Sequence, residues 1–167
     1  MRSAGTPVAS TGSSALLLIT SLALVAVVAA VGGVATSRSV GDWYESLDRA
    51  PWNPPSWVFG PAWTVLYALM AVAAWLVARQ GLSDSAVQAA LTLYAVQLAL
   101  NLGWSIVFFG LRRPGLALIV IGALFLAVAA TAVAFHAISP AAAWLLAPYL
   151  VWVAFAASLN AWIAFAN

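Results

Sequence analysis

Cysteine is absent from this chain, histidine occurs once, and the charged side chains are only six basic and four acidic, 6% of the sequence. Without Cys there is no disulfide, no thiolate metal site and no thiol nucleophile. One His and four carboxylates, all between Asp42 and Asp84, leave no material for a multi-ligand metal centre. Lysine is missing too, so every basic residue is Arg. The nominal pI of 9.5 reflects a small, scattered excess, which excludes nucleic acid as a partner. A soluble domain carries about 25% charged residues, and so few charges cannot surround a chain that is 65% hydrophobic with mean hydropathy +1.04. The solvent for this surface is membrane lipid.

A helix needs about 20 mainly apolar residues to cross a bilayer. Five stretches qualify: 14–35, 56–79, 85–109, 114–137 and 141–165. Backbone groups in lipid must bond internally, so helices are the expected form. The fold class is an all-α integral membrane protein, a five-transmembrane-helix bundle in one domain over 14–167. Residues 1–13, small and polar, read as a disordered tail. The first apolar run is long for a cleaved signal and lacks a clear small-x-small site after it, so it reads as a retained helix. Arg38, Arg49, Arg112 and Arg113 fall on the side of the C-terminus, Arg2 and Arg79 on the other. The positive-inside rule then turns the long loop and the C-terminus to the cytoplasm. No period of 20–50 residues repeats, and five passes do not divide into inverted halves.

The loop at 36–55 leads into the richest stretch, Trp43 to Tyr67, which holds four Trp, two Tyr and four Pro. Trp and Tyr collect where an apolar body meets a wet edge. Pro51, Pro54 and Pro55 bar a helix and favour a stiff extended lid. Such a lid, bearing Trp43, Trp52 and Trp57, could roof a pocket for a flat apolar ligand.

Three helices carry aromatic and polar residues on one face. Phe59, Trp63, Tyr67 and Met70 align in the second span. Gln97, Asn101, Trp104 and Phe108 align in the third, and Tyr149, Trp152, Ala156 and Asn160 in the fifth. Amides are costly against lipid and should face protein or a cavity. If the faces converge, Trp63, Trp104 and Trp152 wall a pocket, with Gln97, Asn101 and Asn160 as hydrogen-bonding points. The competing reading is general: Asn and Gln often serve as interhelical glue, and Trp at helix ends as interfacial anchors, a role suited to Trp75, Trp144 and Trp162. Co-occurrence on three helices, plus the lid, is the argument for a pocket. Ala95, Ala99 and Gly103 form a small-residue row nearly opposite Gln97 and Asn101, suited to intramolecular packing or to a second subunit.

Catalytic machinery is not visible. His136 lies far along the chain from any carboxylate and reads as an interface residue rather than a general base. No nucleophile–base pair, phosphate loop or redox centre can be assembled, so no metal and no cofactor is expected.

The runs WYESL, PWNPPSWVFGPAWTVLY, QLALNLGWSIVFFG and SPAAAWLLAPYLVWVAFAASLN, spread from about Gly41 to Asn160, resemble the TspO/MBR family of translocator proteins and tryptophan-rich sensory proteins. The resemblance implies a five-helix membrane bundle, usually a homodimer. It implies binding of porphyrins such as protoporphyrin IX, of haem, and of sterol-like or benzodiazepine-type ligands, in a bacterial cell membrane for a bacterial member. The FGPxW motif falls on Trp63 with its Tyr at Tyr67. The LNxxW motif falls on Asn101 and Trp104, the PYxxW motif on Tyr149 and Trp152, a small position on Ala156, and the LN Asn on Asn160. Some relatives are credited with light- and oxygen-dependent porphyrin breakdown, for which Trp63 and Trp152 would be the candidates here. Three features depart from the family. Pro51 directly precedes Trp52, Thr92 and Val96 replace a GxxxG pair of the third helix, and no basic residue follows Asn160 to complete a sterol motif. The functions to separate are a tetrapyrrole receptor or sensor, a photochemical porphyrin-degrading enzyme, and a porphyrin transporter; the odd helix number and lack of intramembrane acids argue against ion-coupled transport.

Overall fold

The computed structural model describes residues 11–41 and 43–167. Its elements are α1 (Thr11–Val40), the short α2 (Trp43–Ser46), a 3₁₀ turn (Ser56–Val58), α3 (Phe59–Ala78), α4 (Ser85–Ser105), a π-helical turn (Ile106–Gly110), α5 (Pro114–Ile138) and α6 (Pro140–Ala166). The five long helices are each apolar and long enough to span a membrane.

Local chemistry sets the boundaries. Gly81 at φ +132° ends the α3 connection, a backbone region that a side chain would strain. Asp84 then caps α4, its carboxylate accepting from the amides of Ala86 (2.7 Å) and Val87 (3.4 Å). Ser139 ends α5 by donating its amide to Phe135 and starts α6 by accepting from Ala142 with its hydroxyl. Pro114 and Pro140 occupy first-turn positions, where a missing N–H costs nothing.

The helices close a ring in the order α1, α3, α6, α5, α4 and back to α1. The tightest seam joins α5 and α6. Its buried residues on α5 are Ala117, Ile121, Leu124, Val128, Thr131 and Phe135; on α6 they include Ala142, Leu146, Tyr149, Val153, Ala156 and Ile163. Alternating steps of four and three place them on one stripe of each helix, the pattern of left-handed knobs-into-holes packing. Tyr94 of α4 stacks on Phe135 at 5.9 Å. By contrast α1 buries only Val25, Val28 and Gly32 among its described side chains, and so leans on the bundle rather than entering it.

Several expectations change. The first helix starts at Thr11 and runs to Val40, so residues 11–13 are helical and the loop is shorter than 36–55; residues 1–10 of the expected tail lie outside the described residues. The loop is not an extended lid throughout. Trp43–Ser46 coils before the first Pro, and Ala50 to Asn53 forms a turn, with the Asn53 amide donating to Ala50 O at 2.8 Å and Pro51 at the favoured second position. The third span is not a regular helix to Phe109, because the π turn widens its end. Ala95 and Ala99 are exposed, and a Cβ built on Gly103 would meet nothing within 4 Å, so the small-residue row does not serve packing within the chain.

Candidate functional site

A cavity of about 790 Å³ opens between α1, α3, the end of α4 and α6. Its aromatic walls come from the aligned faces: Phe59, Trp63 and Tyr67 on α3, Trp104 and Phe108 at the end of α4, and Trp152 on α6. Trp63 is the hub. Its ring centroid lies 5.5 Å from Tyr67, 6.4 Å from Trp104, 6.2 Å from Tyr149 and 6.4 Å from Trp152. Phe59 meets Trp152 edge-on at 5.9 Å. Such tilted and edge contacts suit ring quadrupoles and hold the walls without filling the space between them. Ala156 and Asn160, the next turns of α6, continue the lining with small and polar surface.

Behind this wall lies a ladder of hydrogen bonds. The Tyr67 hydroxyl donates to Asn101 Oδ1 at 2.8 Å, and Asn101 Nδ2 donates to the Tyr149 hydroxyl at 3.1 Å. One amide thus ties α3, α4 and α6 together. A second amide works the same way: Trp104 Nε1 donates to Asn160 Oδ1 at 3.1 Å, and Asn160 Nδ2 donates to Pro114 O at 2.8 Å. These bonds fix the indole and phenol planes that face the cavity. The Trp152 Nε1–H is buried and finds no acceptor among the described residues.

Eight of the residues singled out from sequence line the cavity: Phe59, Trp63, Tyr67, Trp104, Phe108, Trp152, Ala156 and Asn160. The other six do not. Asn101 and Tyr149 are buried behind the wall. Gln97 sits deeper, with Nε2 3.9 Å from Met70 Sδ and Oε1 unpaired among the described residues. Trp43 packs edge-on to Phe108 at 5.6 Å from outside. Trp52 leans on Trp162 at 5.3 Å and donates weakly to Ser158 Oγ at 3.4 Å. Trp57 is 75% exposed and points away from the bundle core. The roof therefore does not consist of the loop tryptophans. Tyr44 and Ser56 are the loop residues that reach the lining. Tyr44 is held by its hydroxyl donating to Asn53 Oδ1 at 2.8 Å. Burial raises its phenol above the ordinary value, with the Arg49 charge and the Asn53 bond pulling the other way.

Sequence reasoning missed a whole wall. Leu22, Val25, Ala26, Ala29, Gly32 and Thr36 of α1 line the cavity from one stripe of the helix. Their residue types were a signal of sorts, since small side chains at helical spacing leave a groove, but α1 is apolar all round and nothing marked the face. Phe109 was missed because a regular α-helix turns it away from Trp104. The π turn, in which the Leu111 amide donates to Ile106 O at 2.8 Å, brings it within 6.0 Å of Trp104. Trp75, expected as an interfacial anchor, is instead a staple: its Nε1–H is shared between Ser14 O (3.0 Å) and Oγ (3.1 Å) on α1. Trp162 likewise packs inward on Trp52, while Trp144 is exposed.

Fold and cavity together define a polytopic integral membrane protein built around an aromatic chamber between its helices. The chain belongs to the TspO/MBR family, whose family model matches residues 21–166. It is 39% identical to the tryptophan-rich protein TspO of Chlorobaculum tepidum over 145 residues, which cover 87% of this chain and 92% of the relative. It is 47% identical to the translocator protein of Bos taurus over 120 residues, 71% and 70% of the two chains. It is 44% identical to the tryptophan-rich sensory protein of Cereibacter sphaeroides over 135 residues, 79% and 83% of the two chains.

Proposed function

We propose that this protein is a membrane receptor or sensor that binds a tetrapyrrole, protoporphyrin IX or haem, in the cavity between α1, α3, α4 and α6. The observation that carries the reading is the chamber itself: about 790 Å³, walled by three indoles, two phenols and three phenyl rings. That volume lies within the range of small-molecule sites. Flat aromatic ligands gain from stacking and from burial at roughly 25 cal/mol per Å² of apolar surface. Sterol-like and benzodiazepine-type molecules fit the same chemistry less fully, because they offer less flat surface to three indoles. The test is titration of the purified protein with protoporphyrin IX while its Trp emission is followed. Saturable quenching is expected, weakened by Trp63→Leu and Trp152→Leu; quenching unchanged in the double variant would remove this site.

A photochemical reading is favoured by one observation: the candidate pair Trp63 and Trp152 face the same cavity in edge contact at 6.4 Å. Illumination in air with protoporphyrin IX distinguishes it. A stable product formed over many turnovers and lost in Trp152→Phe would make the protein an enzyme. A homodimer through the outward row Ala95, Ala99 and Gly103 belongs to the same proposal, since small side chains let helices approach closely. Ala99→Trp should shift the particle to a monomer in a mass-resolved detergent measurement. We also place the loop and the C-terminus in the cytoplasm of a bacterial cell, on the strength of the four Arg at that end.

A further inference from the structure

Most of the polar lining residues gather at one end of the cavity, the end that carries the loop, beside Phe108, Phe109, Leu159 and Ile163. Thr36 and Ser37 at the finish of α1, Ser56 ahead of α3, Ser105 at the finish of α4 and Asn160 near the finish of α6 all line it there. Toward the middle of the span the lining turns to Leu22, Val25, Ala26 and Ala68. A chamber graded in this way suits an amphipathic molecule lying with its polar end toward the loop.

Two guanidiniums stand at that end. Arg49 Cζ lies 5.7 Å from the ring centroid of Tyr44, and Arg112 Cζ lies 6.0 Å from that of Trp43. Tyr44 is itself part of the lining, and Trp43 packs on the lining residue Phe108. Neither side chain is itself among the lining residues: Arg49 is one ring from the chamber and Arg112 two, behind Trp43 and Phe108, each held by a face that attracts positive charge. Neither is paired with a carboxylate among the described residues, and Glu45 and Asp48 of the same segment are exposed.

The backbone adds an independent observation. Arg112 has φ +55°, in the left-handed region that Gly or Asn usually fills. It is the single described non-Gly residue there, at the point where the π turn ends and α5 must begin. The Arg113 amide donates to Val107 O at 3.1 Å and closes that turn around it. A Gly would satisfy the bend without strain, so the bend alone does not account for an Arg at this position.

We propose that Arg49 and Arg112 form an anion-accepting rim at the loop end of the cavity, which takes the carboxylate end of an amphipathic ligand whose flat apolar body lies among the tryptophans. This rests on the cavity being the ligand site. The rim selects acids over neutral molecules of the same shape, and it sets which way round the ligand lies. The same oxyanion chemistry is offered by the phosphate of an anionic lipid, so the test separates the two sources.

Binding of protoporphyrin IX, a dicarboxylic acid, is compared with that of its neutral dimethyl ester by Trp quenching, on full-length protein in phosphatidylcholine nanodiscs. Arg49→Gln/Arg112→Gln should weaken the acid about tenfold, a charge-assisted bond discounted for solvent exposure, and leave the ester unchanged. Arg49→Lys/Arg112→Lys should restore most of the loss. Salt near 0.5 M should weaken the acid, not the ester, in wild type. Equal loss for acid and ester would make the arginines structural and overturn the proposal, as would no loss for either. A loss seen only in discs containing phosphatidylglycerol would assign the rim to lipid phosphate and overturn it as well. If wild type bound neither acid nor ester, the cavity reading itself would have failed and the rim with it.

Discussion

Replacing Asn101 by Leu should destabilise the bundle without abolishing the cavity. Asn101 is buried and supplies both an acceptor and a donor, to Tyr67 at 2.8 Å and from its own amide to Tyr149 at 3.1 Å. The two phenols do not suffer equally. Tyr149 is 0% exposed, so its hydroxyl would lose its partner inside the protein, at a cost of about 1–3 kcal/mol. Tyr67 faces the cavity and can find another partner there, so its loss is nearer the ~0.6 kcal/mol average of interhelical bonds in membranes. The sum is about 2.6 kcal/mol at the middle of that range, which corresponds to roughly 5–10 °C in melting temperature for a chain of this size. The decisive assay is a cycle in detergent with Asn101→Leu, Tyr149→Phe and the double variant. Removing both partners leaves no orphan, so the double variant should melt above the Asn101→Leu single variant. Strict additivity, or a single variant melting like wild type, would refute the account of Asn101 as the tie between three helices.

Ala156→Phe should abolish porphyrin quenching with near-normal melting, because Ala156 borders the cavity and the ring enters existing space; a drop in melting temperature with binding retained would mean a closed core, where overpacking costs about 1–3 kcal/mol. Asn160→Leu strips the acceptor from the Trp104 indole and the donor from Pro114 O, and should lower both melting temperature and ligand affinity; an effect on neither would show that the indole plane is set by packing alone. Trp75→Phe removes the staple to Ser14, and faster proteolysis or hydrogen exchange confined to the start of α1 is the expected readout.

The sequence by itself determined what can be computed from short-range regularity. Apolar run length and charge scarcity specify five membrane passes, because a helix in lipid satisfies its own backbone and needs only about 20 apolar residues to cross. Helical periodicity put Phe59, Trp63 and Tyr67 on one face, and likewise Trp104 with Phe108 and Trp152 with Ala156 and Asn160, which was enough to mark three sides of the chamber. The breaks between the spans were legible for the same reason, since caps and first-turn prolines act within a turn of where they stand. Depth was not legible. Asn101 and Tyr149 share the face of the wall residues yet lie behind it, because which member of a face meets empty space depends on where the neighbouring helix axes run. The part of α1 was invisible, because a helix apolar on every side carries no mark of the face that it turns to a cavity. The π turn needed a sixth residue, Leu111, to reach back to Ile106, and no local propensity announces that choice. The nearness of the rings that carry Arg49 and Arg112 was decided by the tertiary structure alone. They come from segments more than 60 residues apart, and the packing of Trp43 and Tyr44 onto Phe108 brings together the two rings over which the guanidiniums lie.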